Sequence, residues 1–220
     1  MKINKQINWL FFDAGGVLLD ETKHEGQRIN LILKAVKIFK PEITKDDVLA
    51  VRFKASAALG GLTENIIKMF LSDSKNIKQA LQFINDHWDK NQSSFVRPDA
   101  KNVVEKLAEK FNLGLLANQP IETKERLEKA GVLKYFKFQD VSEDIKLRKP
   151  DPEFYKAIFN ATGADPKKSS MIDDNIERGL IPAKNLGMTT VWFKQEDREV
   201  SAGVVDYTIM SLGDLLAIFN

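Results

Sequence analysis

Asp13 closes the apolar run Trp9-Leu-Phe-Phe and is followed at once by Ala14, Gly15 and Gly16. A carboxylate in that position can serve as a nucleophile or a metal ligand. It can equally be a plain cap at a strand-to-turn junction. The two glycines let the chain turn sharply and let a ligand approach the backbone closely. Three later positions carry related chemistry: Asn118 after Leu113-Gly-Leu-Leu-Ala117, Lys149 before Pro150, and Asp173-Asp174 after Ser170-Met-Ile172. Carboxylates from two strand ends can hold a hard cation such as Mg2+ together with waters and phosphate oxygens. A lysine beside them can neutralise charge on a phosphoryl group. Each piece also has a plainer reading. Lys149 can be one more solvated lysine near Lys146 and Arg148, and Asp173-Asp174 an acid pair at a helix start.

These residues converge only if the elements before them lie side by side. Residues 8–12 read as a buried strand, being a short continuous apolar run that ends in a turn signal. From about His24 to Asn91 the pattern is helical throughout. Ile29, Ile32, Leu33 and Val36 keep helical spacing, and Pro41 ends that helix. Thr44, Thr63 and Ser74 are each expected to cap a further helix. Four helices without a strand predict a bundle inserted after the first strand. From Pro98 onward strands alternate with helices. Strands are expected near 113–117, 136–141, 170–172, 190–193 and 204–209, with helices at 121–130, after Pro152, around Pro182–Leu186 and at 211–219. Pro152 suits the first position of its helix. The alternation predicts an α/β fold, a Rossmann-like doubly wound parallel sheet, whose ligands sit beyond the carboxyl ends of the strands. Asp13, Asn118, Lys149 and Asp173-Asp174 then share one edge.

Composition narrows the function classes. The chain has 220 residues, 43% hydrophobic and 29% charged, which is ordinary for a globular protein. Lysine and arginine total 33 against 31 acids, a net charge of +2. No single-signed field exists to draw in nucleic acid or an anionic membrane. There is no cysteine, which excludes disulfides, thiolate catalysis and cysteine metal sites. The four-residue apolar run before Asp13 is too short for a signal peptide or a membrane span. A soluble cytoplasmic protein, monomer or homodimer, is the expectation.

In order, the motifs are apolar strand-Asp13-Ala-Gly-Gly-Val, Leu-Leu-Ala117-Asn118, Arg148-Lys149-Pro150-Asp151-Pro152, Met-Ile-Asp173-Asp174-Asn, and Ala183-Lys-Asn-Leu-Gly187-Met. This set resembles the haloacid dehalogenase superfamily of hydrolases, and it spans nearly the whole chain. The resemblance implies a core over 1–20 and 93–220 with a helical cap over 21–92. It implies Asp13 as the nucleophile that becomes an aspartyl-phosphate, and Lys149 as the lysine that steadies nucleophile and phosphate. Asp13, Asp174 with Asp173 beside it, and the backbone carbonyl of Gly15 are the implied Mg2+ site. Gly16, Ala117 and Asn118 are the implied contacts to a small phosphorylated substrate.

Three positions depart from the family pattern. Gly15 stands where a second aspartate acts as general acid, a role worth about 10²–10⁴-fold in rate. Ala117 replaces a serine or threonine that binds phosphate. Gly179 aligns with a further acid five residues beyond Asp174. Nucleophile, metal ligands and lysine survive, so the electrostatic part of phosphoryl transfer remains while proton delivery does not. Weak activity on alkyl phosphates follows, with acyl and aryl phosphates favoured. A non-catalytic member that binds a phosphorylated ligand or partner stays an alternative. A 2-haloacid dehalogenase or a phosphonatase using Lys23, Lys34 or Lys54 ranks lower. His24, Lys23 and Lys54 are candidate proton donors on the cap, and Arg178 a candidate ligand contact. His87, the three tryptophans and Lys34, Lys37 and Lys40 read as structural or solvated.

Overall fold

The computed structural model describes residues 6–89 and 94–219. In chain order the elements are β1 (Trp9–Phe12), β2 (Leu19–Asp20), α1 (Thr22–Lys37), α2 (Lys45–Ala57), α3 (Leu62–Phe70), α4 (Ser74–His87) and β3 (Phe95–Val96). Then come α5 (Ala100–Ala108), β4 (Asn112–Leu115), α6 (Glu122–Lys129), β5 (Phe136–Phe138), α7 (Ser142–Ile145), α8 (Pro152–Thr162) and β6 (Ser169–Asp173). A π turn over Ile176–Leu180 leads into α9 (Ile181–Asn185), β7 (Thr189–Phe193), β8 (Tyr207–Ile209) and α10 (Asp214–Ile218). The chain divides into two compact units, Met1–Asp20 with Phe95–Asn220, and Glu21–Ser94.

The first unit is built on a six-stranded sheet in the order β5-β4-β1-β6-β7-β8. Every pairing in it is parallel. Helices therefore cover both faces, and the strands alternate between two apolar layers. Leu10 and Phe12 join Leu113, Leu115, Ile172 and Val191 on one face, with Val103, Val104 and Leu215 from α5 and α10. Phe11 joins Met171 and Trp192 on the other, with Phe154, Tyr155 and Ile158 from α8. The α/β doubly wound parallel sheet expected from the sequence is thus present. Several strands are shorter than the apolar runs that predict them. β5 ends at Phe138 rather than 141, and β8 spans only Tyr207–Ile209. Pro152 opens α8, with the Asp151 carboxylate accepting from the Glu153 N–H.

β2 and β3 form a separate antiparallel pair, Leu19 opposite Val96 and Asp20 opposite Phe95. Strands of two residues carry no periodic signal and are not legible in the sequence.

The second unit packs α1 to α4 around Ile32, Val36, Val48, Ile66, Ile67, Ala80 and Ile84. Thr44 caps α2 through a full capping box with Asp47. Two caps differ from expectation. Thr63 lies inside α3, whose N-cap is Gly61 and has no side-chain cap bond. Asp73, one residue before Ser74, caps α4 by accepting from the Asn76 N–H. Both residue types satisfy the free N–H groups of a first turn, so sequence alone could not fix the position. α1 ends at Lys37, before Pro41. His24 meets the Trp88 ring edge-on, and His87 donates from Nδ1 to the Phe83 carbonyl and stacks on the Phe83 ring. Lys34, Lys37 and Lys40 are exposed. Among the described residues, no helix is long and apolar enough to cross a membrane.

Candidate active site

β1 lies between β4 and β6, so three strand ends meet at the middle of one sheet edge. The Asp13 N–H still donates to Ile172 (2.9 Å), and the Leu116 N–H donates to Phe12 (2.9 Å). These ladder bonds fix Asp13 beside the end of β6 and beside Ala117. Its Oδ1 accepts from the Ala14 N–H at 2.8 Å. Asp173 is the last residue of β6 and fully buried; Asp174 follows it at the rim.

Lys149 arrives from the loop between α7 and α8 and is 1% exposed. Its Nζ lies 2.6 Å from Asp173 Oδ2 and 3.3 Å from Asp13 Oδ2. Burial works against the ammonium, but the carboxylates of Asp13, Asp173 and Asp174 outweigh it and raise the Lys149 pKa. The lysine therefore stays charged. Its backbone is held by Asn118, which accepts from the Lys149 N–H at 2.7 Å and donates through Nδ2 to the Lys149 carbonyl at 2.8 Å. Asn118 was expected to touch substrate through its side chain, yet that amide is engaged in placing the lysine.

Carboxylate oxygens of Asp13, Asp173 and Asp174 lie within 4.8 Å of one another, a grouping that could hold a metal ion. An octahedral Mg2+ sets its oxygens roughly 3 to 4.2 Å apart, so a small closing movement meets its demand. The donor chemistry fits as well. Three carboxylates cluster beside the Lys149 ammonium, a hard oxygen donor set suited to a divalent cation. Asp173 is used at both oxygens, by Lys149 and by the Asn175 N–H at 2.8 Å. Asp13 and Asp174 are the more exposed of the three acids.

The turn after Asp13 lies against this cluster. Gly16 has φ +75°, and a Cβ there would sit 2.2 Å from Asp174 Oδ2. Only glycine satisfies both the left-handed backbone and the close approach. Gly179 is excluded from carrying an acid for a related reason. A Cβ at 179 would fall 2.0 Å from Asp173 Oδ2, so the Asp173 carboxylate already fills that volume. Ala117 is fully buried in the core, and its carbonyl accepts from the Ser142 N–H at 3.0 Å.

Several residues at this edge carry no signal in the sequence. Tyr155 donates to the Gly179 carbonyl at 3.1 Å, fixing the turn around Asp173. Burial, then the Asp173 and Asp13 carboxylates, push its phenol well above the ordinary value, so it remains a neutral donor. Trp192, expected as a core or cap-interface aromatic, also donates from Nε1 to the Asp174 carbonyl at 3.1 Å. Arg97 and Gln195 both reach the Gly16 carbonyl. Beside the site, between the ends of β4 and β5, lies a crevice of about 520 Å³. Asn118, Gln119, Ser142, Lys146 and Arg148 are among the residues lining it. Arg178 donates its N–H to Asn175 Oδ1 at 2.8 Å, an N-terminal cap of the π turn.

Comparison with known proteins bears on this arrangement. The family model described as haloacid dehalogenase-like hydrolase matches residues 10–193. A glyceraldehyde 3-phosphate phosphatase from Pyrococcus abyssi is 30% identical over 99 residues, 44% of this chain and 42% of that protein. A phosphoserine phosphatase from Thermus thermophilus is 30% identical over 112 residues, 49% of this chain and 43% of that protein. The chain thus spans about half the length of the curated phosphatases it matches. The crystal structure of the HAD-hydrolase YfnB from Bacillus subtilis, bound to magnesium, superposes with a TM-score of 0.62 at 19% identity. That likeness covers 98% of this chain and 100% of the other, and at such identity it speaks for the fold.

Proposed function

The chain belongs to the haloacid dehalogenase-like hydrolases, and on that premise we propose a Mg2+-dependent phosphatase acting on a small phosphorylated metabolite through an aspartyl-phosphate. The observation that carries the proposal is the ion network of Asp13, Lys149 and Asp173, with Asp174 within reach of the same cation. The phosphatase names of relatives near 30% identity favour phosphoryl over halide chemistry.

In this reading an Asp13 oxygen attacks phosphorus, and the bond from phosphorus to the leaving oxygen breaks with its electron pair. Lys149 holds charge on the phosphoryl oxygens and keeps Asp13 oriented. Asp173 keeps Lys149 charged and aimed. Asp13, Asp174 and the Gly15 carbonyl would hold Mg2+, which when bound neutralises charge on nucleophile and phosphate. Water then attacks phosphorus, releasing phosphate and restoring the Asp13 carboxylate. The crevice beside Asn118 offers room for the remainder of a small substrate.

Gly15 supplies no proton to an alkoxide, which costs about 10²–10⁴-fold on alkyl phosphates. Acyl phosphates, whose leaving carboxylate needs no proton, and aryl phosphates suffer less. Hydrolysis of para-nitrophenyl phosphate that requires Mg2+ and disappears in Asp13→Asn is the expected result. Turnover that survives Asp13→Asn would refute the nucleophile. The variant Gly15→Asp is expected to raise turnover of glycerol 3-phosphate more than that of the aryl ester. The departures at Gly15 and Ala117 also favour a second reading, a non-catalytic binder of phosphorylated ligands. It predicts no turnover by the wild type while a phosphate analogue still binds.

A further inference from the structure

We propose that Arg97 and Gln195 are positioning residues that hold the Gly15–Gly16 turn beside Asp174 and so set the oxygen cluster that takes the divalent cation. The proposal rests on the metal-dependent reading above. Arg97 engages three consecutive carbonyls of the segment after the nucleophile. Its Nη2 donates to Gly16 at 3.0 Å, its Nε to Val17 at 3.0 Å, and its backbone N–H to Leu18 at 2.9 Å. The guanidinium is itself held, lying 4.8 Å over the Phe193 ring with Nη1 3.8 Å from Asp20. Gln195, two residues beyond β7, donates from Nε2 to the same Gly16 carbonyl.

The same turn faces the acid at Gly16. A Cβ on Gly16 would lie 2.2 Å from Asp174 Oδ2, so turn backbone and carboxylate are in direct contact. Donors thus hold the turn by its carbonyls, and Asp174 and Gln195 both border Gly16. The sequence explains why such a device is needed. Residues 15 and 16 are both glycine, and a diglycine turn loses more backbone freedom on ordering than any other pair. No side chain at 15 or 16 can tether it. A planar guanidinium fork, already oriented by a ring and a carboxylate, orders it from outside at low entropic cost. The Gly15 carbonyl is one peptide unit from the clamped Gly16 carbonyl, so its direction follows from the clamp.

Full-length wild type, Gln195→Ala, Arg97→Ala and Arg97→Lys are compared by calorimetric titration with MgCl2 and by thermal melting. Loss of residues that orient metal ligands typically weakens metal affinity about 10–100-fold. The expected result is a rise of that order in the Mg2+ dissociation constant for Arg97→Ala, a smaller rise for Gln195→Ala, and partial recovery in Arg97→Lys. If Arg97→Ala does not fold, Gln195→Ala carries the test, because it removes one donor from an exposed position. Variants that melt earlier yet bind Mg2+ as tightly as the wild type overturn the clamp and leave the metal reading standing. A wild type that binds no Mg2+ overturns both.

Discussion

Replacing Lys149 by methionine tests the charge network at its centre. The side chain is 1% exposed, and methionine keeps most of its volume while removing the ammonium. Asp173, itself fully buried, then loses the partner 2.6 Å away, and Asp13 loses one at 3.3 Å. Breaking a buried ion pair by deleting one partner costs about 3–5 kcal/mol, because the other charge stays buried and uncompensated. For a chain of this size each kcal/mol moves the melting temperature by about 2–4 °C, so a fall of roughly 6–20 °C is expected. The three carboxylates would then lose the ammonium they share. Mg2+ should restore more stability to the variant than to the wild type, about 2.7 kcal/mol at a concentration one hundred times its dissociation constant. The pH dependence has a definite sign. Burial disfavours the ammonium, but Asp13 and Asp173 raise its pKa above the unfolded value. That stabilisation is fully present below the unfolded value of about 10.4 and disappears as pH rises through the folded one. Differential scanning calorimetry with chelator and with excess Mg2+, repeated over a pH series, reads all three effects. A variant that melts with the wild type in chelator, with no added response to Mg2+, would refute the account of the network.

Gly16→Ala forces a left-handed residue at about 1–2 kcal/mol and drives a Cβ into Asp174. Lower melting temperature and weaker Mg2+ binding are expected, and wild-type Mg2+ affinity would contradict the close packing. Gly179→Asp, which restores the acid usual in the family, meets the Asp173 carboxylate and should destabilise the protein rather than activate it. Higher phosphatase activity at an unchanged melting temperature would show that Asp173 moves aside. Asp144 and Asp206 are partly buried, which raises their pKa values, but Lys124 and Lys184 with backbone N–H groups overcome this and hold both low. Their stabilisation is present above the unfolded value of about 3.9 and is lost as pH falls through the folded values. Lys184→Ala should therefore flatten the fall of the urea midpoint below about pH 4, and an unchanged slope would rule out that pair.

What the sequence by itself determined was whatever neighbours along the chain can encode. The apolar run before Asp13, the runs of β6 and β7, Pro152 at the start of α8 and the Thr44 capping box are local patterns, and each formed where the pattern lies. Asp13, Lys149, Asp173 and Asp174 were legible as a set because a parallel sheet puts successive strand ends on one edge. The tertiary structure alone decided what surrounds them. Asn118 grips Lys149 across 31 residues, Arg97 reaches Gly16 across 81, and Gln195 reaches it across 179. The volume at Gly179 belongs to Asp173, and the tether on Asp174 comes from Trp192. None of these has a period or a spacing to read. They arise because the strand order β5-β4-β1-β6-β7-β8 seats distant segments a few ångströms apart, where buried donors and carboxylates must find partners in whatever side chains the packing supplies.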